Sequence, residues 1–169
     1  IDSETFELTI NPMNDRPVLT SIGVQETDED IPLTITLSAN DVEEDDLNFE
    51  AESDSTLVVV LIADNQLTMT PIENWNGTAN ITVTVTDGGT PNESDSEVFV
   101  LTVTAVNDAP VLTEIGAQET DEDTPLELTL SATDAEEDAL TYTAVSDEGN
   151  VIAEVDGTTL TLTPALDWN

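Results

Sequence analysis

The sequence is built on a repeat with an offset of 93 residues, and no other feature limits its fold as tightly. Asn14-Asp15-Arg16-Pro17-Val18-Leu19-Thr20 returns as Asn107-Asp108-Ala109-Pro110-Val111-Leu112-Thr113, and the register then runs without a gap to Trp75-Asn76 and Trp168-Asn169. More than half of the overlapping positions are identical. Upstream, Asp2-Ser3-Glu4-Thr5-Phe6 matches Asp95-Ser96-Glu97-Val98-Phe99, so residues 1–13 read as the last strand of a preceding repeat. Residues 14–106 form one complete unit, and 107–169 a second unit that stops before its last two strands. A period this long describes a domain-sized bead rather than a solenoid turn.

Within the complete unit, strand signals fall near 18–24, 32–39, 47–52, 57–62, 66–71, 78–86 and 96–105, with Pro, Gly, Asn and Asp clustered between them. The clearest is Ile81-Thr82-Val83-Thr84-Val85-Thr86, whose aliphatics face one side and threonines the other, as a half-buried strand requires. Helical periodicity is absent over any useful length. The expected fold is all-β: tandem Greek-key β-sandwich domains of immunoglobulin-like architecture, each of about seven strands. Asp156-Gly157 marks a tight hairpin, with Asp64-Asn65 in its place in the first unit. Trp75 and Trp168 each sit in a Thr-Pro-x-x-x-Trp-Asn pattern and are assigned to the core rather than to a sugar-stacking platform. Phe49 and Tyr142 are read the same way.

The chain carries 38 acidic residues against one base, Arg16, for a net charge of -37, and it contains no His and no Cys. Such a surface repels itself, so divalent cations or concentrated salt must screen it. Nucleic acid is excluded as a partner by the same repulsion. Disulfides and thiolate metal sites are impossible without Cys. The longest apolar run, 57–63, is too short to span a bilayer, so direct membrane insertion is not expected, and any export or anchoring signal would lie outside these residues. Without His or Cys the commonest catalytic arrangements cannot be built, and acids that recur in every unit read as structural, so no enzyme is expected.

The acids cluster at three recurring places. These are Asp28-Glu29-Asp30, the loop Asp41-Val42-Glu43-Glu44-Asp45-Asp46, and Asp87 ahead of Gly88-Gly89. The second unit repeats the first two as Asp121-Glu122-Asp123 and Asp134-Ala135-Glu136-Glu137-Asp138. Calcium takes six to eight oxygen ligands, and carboxylates on alternate loop residues can converge on one ion. The loop lacks Gly at its sixth position and Glu at its twelfth, so it is not a helix-loop-helix calcium site. A salt-adapted acidic surface without specific ions is the alternative.

The chain resembles the cadherin-like repeats of large bacterial surface and adhesion proteins. The marks are the Asn-Asp-x-Pro joint at Asn14 and Asn107, the entries Asp30-Ile31-Pro32 and Asp123-Thr124-Pro125, the Asp-x-Glu loops at Asp41 and Asp134, and Val85-Thr86-Asp87-Gly88. In cadherins, calcium between successive domains takes ligands from the base of one domain, the linker and the top of the next. Carried over, the resemblance implies Ca²⁺ held by Glu29 and Asp30, then Asn107 and Asp108, then Asp134 and Glu136. At the preceding joint it implies Asn14, Asp15, Asp41, Glu43 and Asp87. The acidic Asp-Arg-Glu segment of cadherins is replaced nearby by Pro71-Ile72-Glu73-Asn74-Trp75, and the linker has Ala105 where a leading Asp stands. Fewer ions and dissociation constants of about 10⁻⁴ to 10⁻³ M are therefore expected. The implied role is a calcium-stiffened spacer or stalk, extracellular, at the cell surface or secreted, whose partners are neighbouring repeats. The alternative is a filament or matrix subunit that completes its domains with strands from further copies of itself. No residue pattern identifies an adhesive target.

Overall fold

The computed structural model describes residues 2–11 and 13–167, which fall into two compact units, 1–106 and 107–169. In the first unit the strands are β1 (Val18–Leu19), β2 (Gln25–Asp28), β3 (Leu33–Thr36), β4 (Ala39–Asn40), β5 (Asn48–Ser53), β6 (Val58–Ala63), β7 (Gln66–Pro71), β8 (Gly77–Thr86) and β9 (Ser94–Thr104). They form a four-stranded sheet in the order β2-β9-β8-β5, a three-stranded sheet β3-β7-β6 and a small pair β1-β4. The larger sheet is mixed, because β2 runs parallel to β9 while β8 is antiparallel to both its neighbours. No helix occurs among the described residues.

The two sheets share one core. Alternation on β8 and β9 turns Ala79, Ile81, Val83, Val85, Phe99, Leu101 and Val103 inward, where they meet Leu37, Val58, Leu67 and Met69 from the facing sheet. The Thr residues between them lie on the outer side. Phe49 and Trp75 are half-buried against this core, as expected of them. The core role expected for Trp168 lies outside the described residues.

Two expected strands differ from what is observed. The segment 18–24 is strand only at β1, and β2 (25–28), which no expected strand covered, follows Gly23, whose φ of 67° leaves the extended region where the chain crosses from the β1-β4 pair to the larger sheet. The segment 32–39 gives β3 and β4, which belong to different sheets. Sequence periodicity reports which face is apolar but not which neighbour supplies the ladder. The hairpin expectation shifts by one residue, because Asp156 still pairs with Thr159. The turn is therefore Gly157-Thr158, equivalent to Asp64-Asn65, and φ is positive at Gly157 and Asp64.

The second unit holds β10 (Val111–Leu112), β11 (Leu126–Thr129), β12 (Ala132–Thr133), β13 (Val151–Asp156) and β14 (Thr159–Pro164). Their sheets, β10-β12 and β11-β14-β13, reproduce β1-β4 and β3-β7-β6 at the repeat offset. Residues 118–121 and 141–146, the counterparts of β2 and β5, form no strand. In the first unit those two strands pair with β9 and β8, and the described residues of the second unit include no counterpart of 77–104. A cavity of about 480 Å³ lies open beside Leu112, Ile115, Leu130, Tyr142 and Leu160, and Tyr142 is half-buried on its wall. Residues 2–11 form no strand, and Phe6, Leu8 and Ile10 are exposed.

Leu67 is fully buried between the sheets, whereas Val98 is exposed on β9. Leu67→Ala should therefore destabilise the first unit by about 2–5 kcal/mol in urea unfolding. Val98→Ala should shift the same transition by no more than about 0.5 kcal/mol.

Candidate functional site

Most acids singled out in the sequence cap the two ends of the first unit. Glu29 follows β2 at the end where β9 finishes. Its N–H donates to the Thr104 carbonyl (2.9 Å), and its Oε1 accepts the Val106 N–H (2.6 Å). The residue is only 3% exposed, and its Oε2 is buried without a hydrogen-bond partner. A buried carboxylate oxygen without a donor carries a desolvation cost that a cation or water would relieve. Asp30, next in sequence, is exposed and has φ of 60°. Its Oδ1 accepts the Asn74 N–H (2.9 Å), pinning the turn before Trp75, and Asp123 accepts the Asp167 N–H (3.0 Å) in the same way.

The other end gathers Asn14, Asp15, Asp41, Glu43 and Asp87. Asp41 Oδ1 accepts the N–H groups of Glu43 and Asp45, both at 3.1 Å, which winds the loop around the side chain. Glu43 Oε2 accepts the Asp15 N–H (3.1 Å) and so joins the loop to the segment before β1. Asp41 Oδ2 is buried without a hydrogen-bond partner. The second unit repeats the design: Asp134 Oδ1 accepts the Asp138 N–H (2.9 Å), and Glu136 Oε2 accepts the Asp108 N–H (3.1 Å). Glu44 and Glu137 both have φ of 60°. The same bond within the loop, from Asp45 to Asp41 and from Asp138 to Asp134, recurs in both units, so the shape of the loop is set locally. Asn107 caps its own neighbour, donating from Nδ2 to the Asp108 carbonyl (2.8 Å).

Asp87 is built differently. It is 3% exposed, and Oδ1 accepts the N–H groups of Gly89 (3.1 Å) and Glu93 (2.9 Å) while Oδ2 accepts Asn14 Nδ2 (2.9 Å). Asn14 packs so closely on Gly89 that a side chain there would collide with its amide. The Glu93 N–H, with the Asn14 amide and the Gly89 N–H, outweighs burial and holds the Asp87 carboxyl below its ordinary pKa. With both oxygens engaged, Asp87 organises the 88–93 loop.

Three further carboxylates escaped the sequence reading. Asp54 takes the Asn80 amide (2.7 Å) and N–H (2.8 Å), which lower its pKa and tie the turn after β5 to β8. Asp95 accepts the Leu19 N–H (3.0 Å), and Glu97 accepts the Ile22 N–H (3.0 Å) and the Ser21 hydroxyl (3.1 Å). A signal was present, since Asp95 and Glu97 recur as Asp2 and Glu4. Among the described residues no three acidic side chains converge as a preformed metal cage.

The profile of the cadherin-like domain matches residues 13–104 and 106–169, and the chain belongs to the cadherin-like domain family. Human CDH23 EC21-23 aligns at 18% identity and a TM-score of 0.47, over 93% of this chain and 56% of that one. Drosophila N-cadherin EC1-4 aligns at 17% identity and a TM-score of 0.46, over 92% and 42%. A nucleoside hydrolase-related hypothetical protein from Saccharophagus degradans aligns at 19% and 0.48, over 54% and 26%. The chain thus spans between about a quarter and about half of these structures. No curated protein matches the sequence. None of the helices needed to cross a membrane occurs among the described residues.

Because the folded pKa of Asp87 lies below its ordinary value of 3.8, the ionised group contributes stability above that pH. The contribution is lost as pH falls through the lowered pKa. Asp87→Asn should therefore lower the urea midpoint of the first unit at pH 7, and the gap from the unmodified chain should close in strong acid.

Proposed function

We propose that the chain is a spacer segment of a large extracellular repeat protein, stiffened by calcium at the joints between its domains and without a catalytic role. On this reading residues 1–13 supply the last strand of a preceding bead, 14–106 a complete bead and 107–169 part of the next. The observation that carries it is the pair of buried, unpartnered carboxylate oxygens, Glu29 Oε2 and Asp41 Oδ2. Glu29 lies beyond the end of β9 and Asp41 in the loop before β5, whose first residue pairs with Thr86 beside the start of β9. An 11-residue strand measures about 35 Å, so the two oxygens mark opposite ends of one bead.

Calcium suits this donor set, which is all oxygen: carboxylates, the Asn14 and Asn107 amides and loop carbonyls. Glu29 and Asp30 would contribute from the base, Asn107 and Asp108 from the linker, and Asp134 and Glu136 from the top of the following bead. Asn14, Asp15, Asp41 and Glu43 would serve the preceding joint, with Asp87 holding Asn14 in place. Bound there, the ion would neutralise neighbouring acids and restrict the hinge around residues 106–109. The competing reading, an acidic spacer that relies on salt alone, draws on the lack of a preformed cage in the described residues.

A thermal melt separates the two. With dissociation constants of about 10⁻⁴ to 10⁻³ M, calcium at about 10 mM should stabilise the fold by about 1.4–2.7 kcal/mol over sodium chloride at matched ionic strength. Chelator should reverse the gain, and Glu29→Gln should diminish it. Equal stabilisation by calcium and by the sodium control would establish the salt-adapted spacer instead.

A further inference from the structure

Strand β6 is the outer strand of the sheet β3-β7-β6 and pairs only with β7. Its sequence, Val58-Val59-Val60-Leu61-Ile62-Ala63, contains no charge in a chain with 38 acids, and Val59 (58%) and Leu61 (67%) are exposed on its outer face. Edge strands normally carry charges that block pairing with other chains. The second unit follows that rule: β13 places Glu154 and Asp156 at the positions of Leu61 and Ala63. The two units therefore differ at this edge, which is guarded in one and open in the other.

The open edge also has backbone groups to offer. Ile72 N–H donates to the Leu57 carbonyl (2.9 Å), and antiparallel alternation from that bond turns the N–H and C=O of Val60 and Ile62 away from β7. We propose that β6 is a self-association surface, on which β6 of a second copy pairs edge to edge about a two-fold axis through Val60. Val60 exchanges backbone hydrogen bonds with its own equivalent, and Ile62 lies opposite Val58 of the second copy. On the outer face Val59 lies opposite Leu61 of that copy. Continued outward, the register sets Asp64 opposite Thr56 and Asp54 opposite Gln66, so no acid faces an acid across the seam.

Charge selects the occupant. A basic partner would be drawn to the acidic loops and gain nothing from an uncharged edge. A second copy brings a charge of -37 and can approach closely only along a seam without carboxylates, which β6 provides and β13 does not. The two-fold register also gives every edge-facing group of Val60 a matching partner. Association of like-charged copies should strengthen with salt, since the Debye length falls from about 10 Å at 0.1 M to about 3 Å at 1 M.

Sedimentation velocity of the 169-residue chain, with chelator present so that calcium plays no part, tests this. At about 1 M NaCl the mass should rise with concentration to twice the 18.1 kDa protomer and stop there, and lowering the salt should weaken the dimer. Leu61→Glu, at an exposed position, should leave the thermal midpoint unchanged while weakening dimerisation at least about tenfold, because it places a carboxylate in the seam. Ile152→Glu on β13 should leave the dimer intact. A chain that stays monomeric at every concentration, a dimer indifferent to Leu61→Glu, or polymers that grow without limit would each overturn the proposal.

Discussion

The first unit depends on the ladder between β8 and β9. Its inner face supplies Ile81, Val83, Val85, Phe99, Leu101 and Val103 to the core, and its two outer edges are the only pairing sites for β5 and β2. Segments with the sequence character of β2 and β5 are present at 118–121 and 141–146, yet neither forms a strand where the ladder is missing. Glu122, the counterpart of buried Glu29, is exposed, and the described residues include no counterpart of the strand end that covers Glu29. In the first unit the end of β9 and the residues after it bury Glu29 through the Thr104 carbonyl and the Val106 N–H.

Carboxylates do a second kind of work in this fold. With no disulfides and almost no ion pairs available to its one Arg, the chain uses acids as acceptors for backbone N–H groups that no ladder reaches. Asp95 and Glu97 fasten the segment between β1 and β2 to β9, Asp54 fastens a turn to β8, and Asp41 and Asp87 wind loops around themselves. At Asp54 and Asp87 these bonds favour the charged form and hold the carboxyl below its ordinary pKa. Glu29 and Asp41 differ in keeping a buried oxygen without a donor, and the desolvation cost of that oxygen is the reason for proposing a cation there.

The architecture was legible in the sequence because alternation is strong where one face is fully buried. Ile81, Val83 and Val85 behave as the pattern requires, and β6, β7 and β8 fall within a residue of expectation. The breaks at 23 and 37–38 were not legible, since they follow from strands changing sheets, which leaves the apolar period nearly untouched. Among the candidate ligands, the sequence could locate acids but not distinguish one with a buried oxygen left unpartnered from one whose oxygens already hold N–H groups. Asp41 and Glu29 keep a buried oxygen without a partner, whereas Asp87 has both oxygens engaged and Asp30 is bonded to Asn74. The roles of Asp54, Asp95 and Glu97 were not legible because their partners, Asn80, Leu19 and Ile22, are distant in sequence and are brought near only by the fold.

The most direct test of the account is calorimetric titration of calcium into the chain at about 0.15 M sodium chloride, where surface charges are already screened. Saturable binding to a small number of sites, with dissociation constants of about 10⁻⁴ to 10⁻³ M and loss of a site in Asp41→Asn, is the predicted result. Heats that never saturate, or that are identical in Asp41→Asn and Glu29→Gln, would mean that calcium serves this protein only as another screening salt.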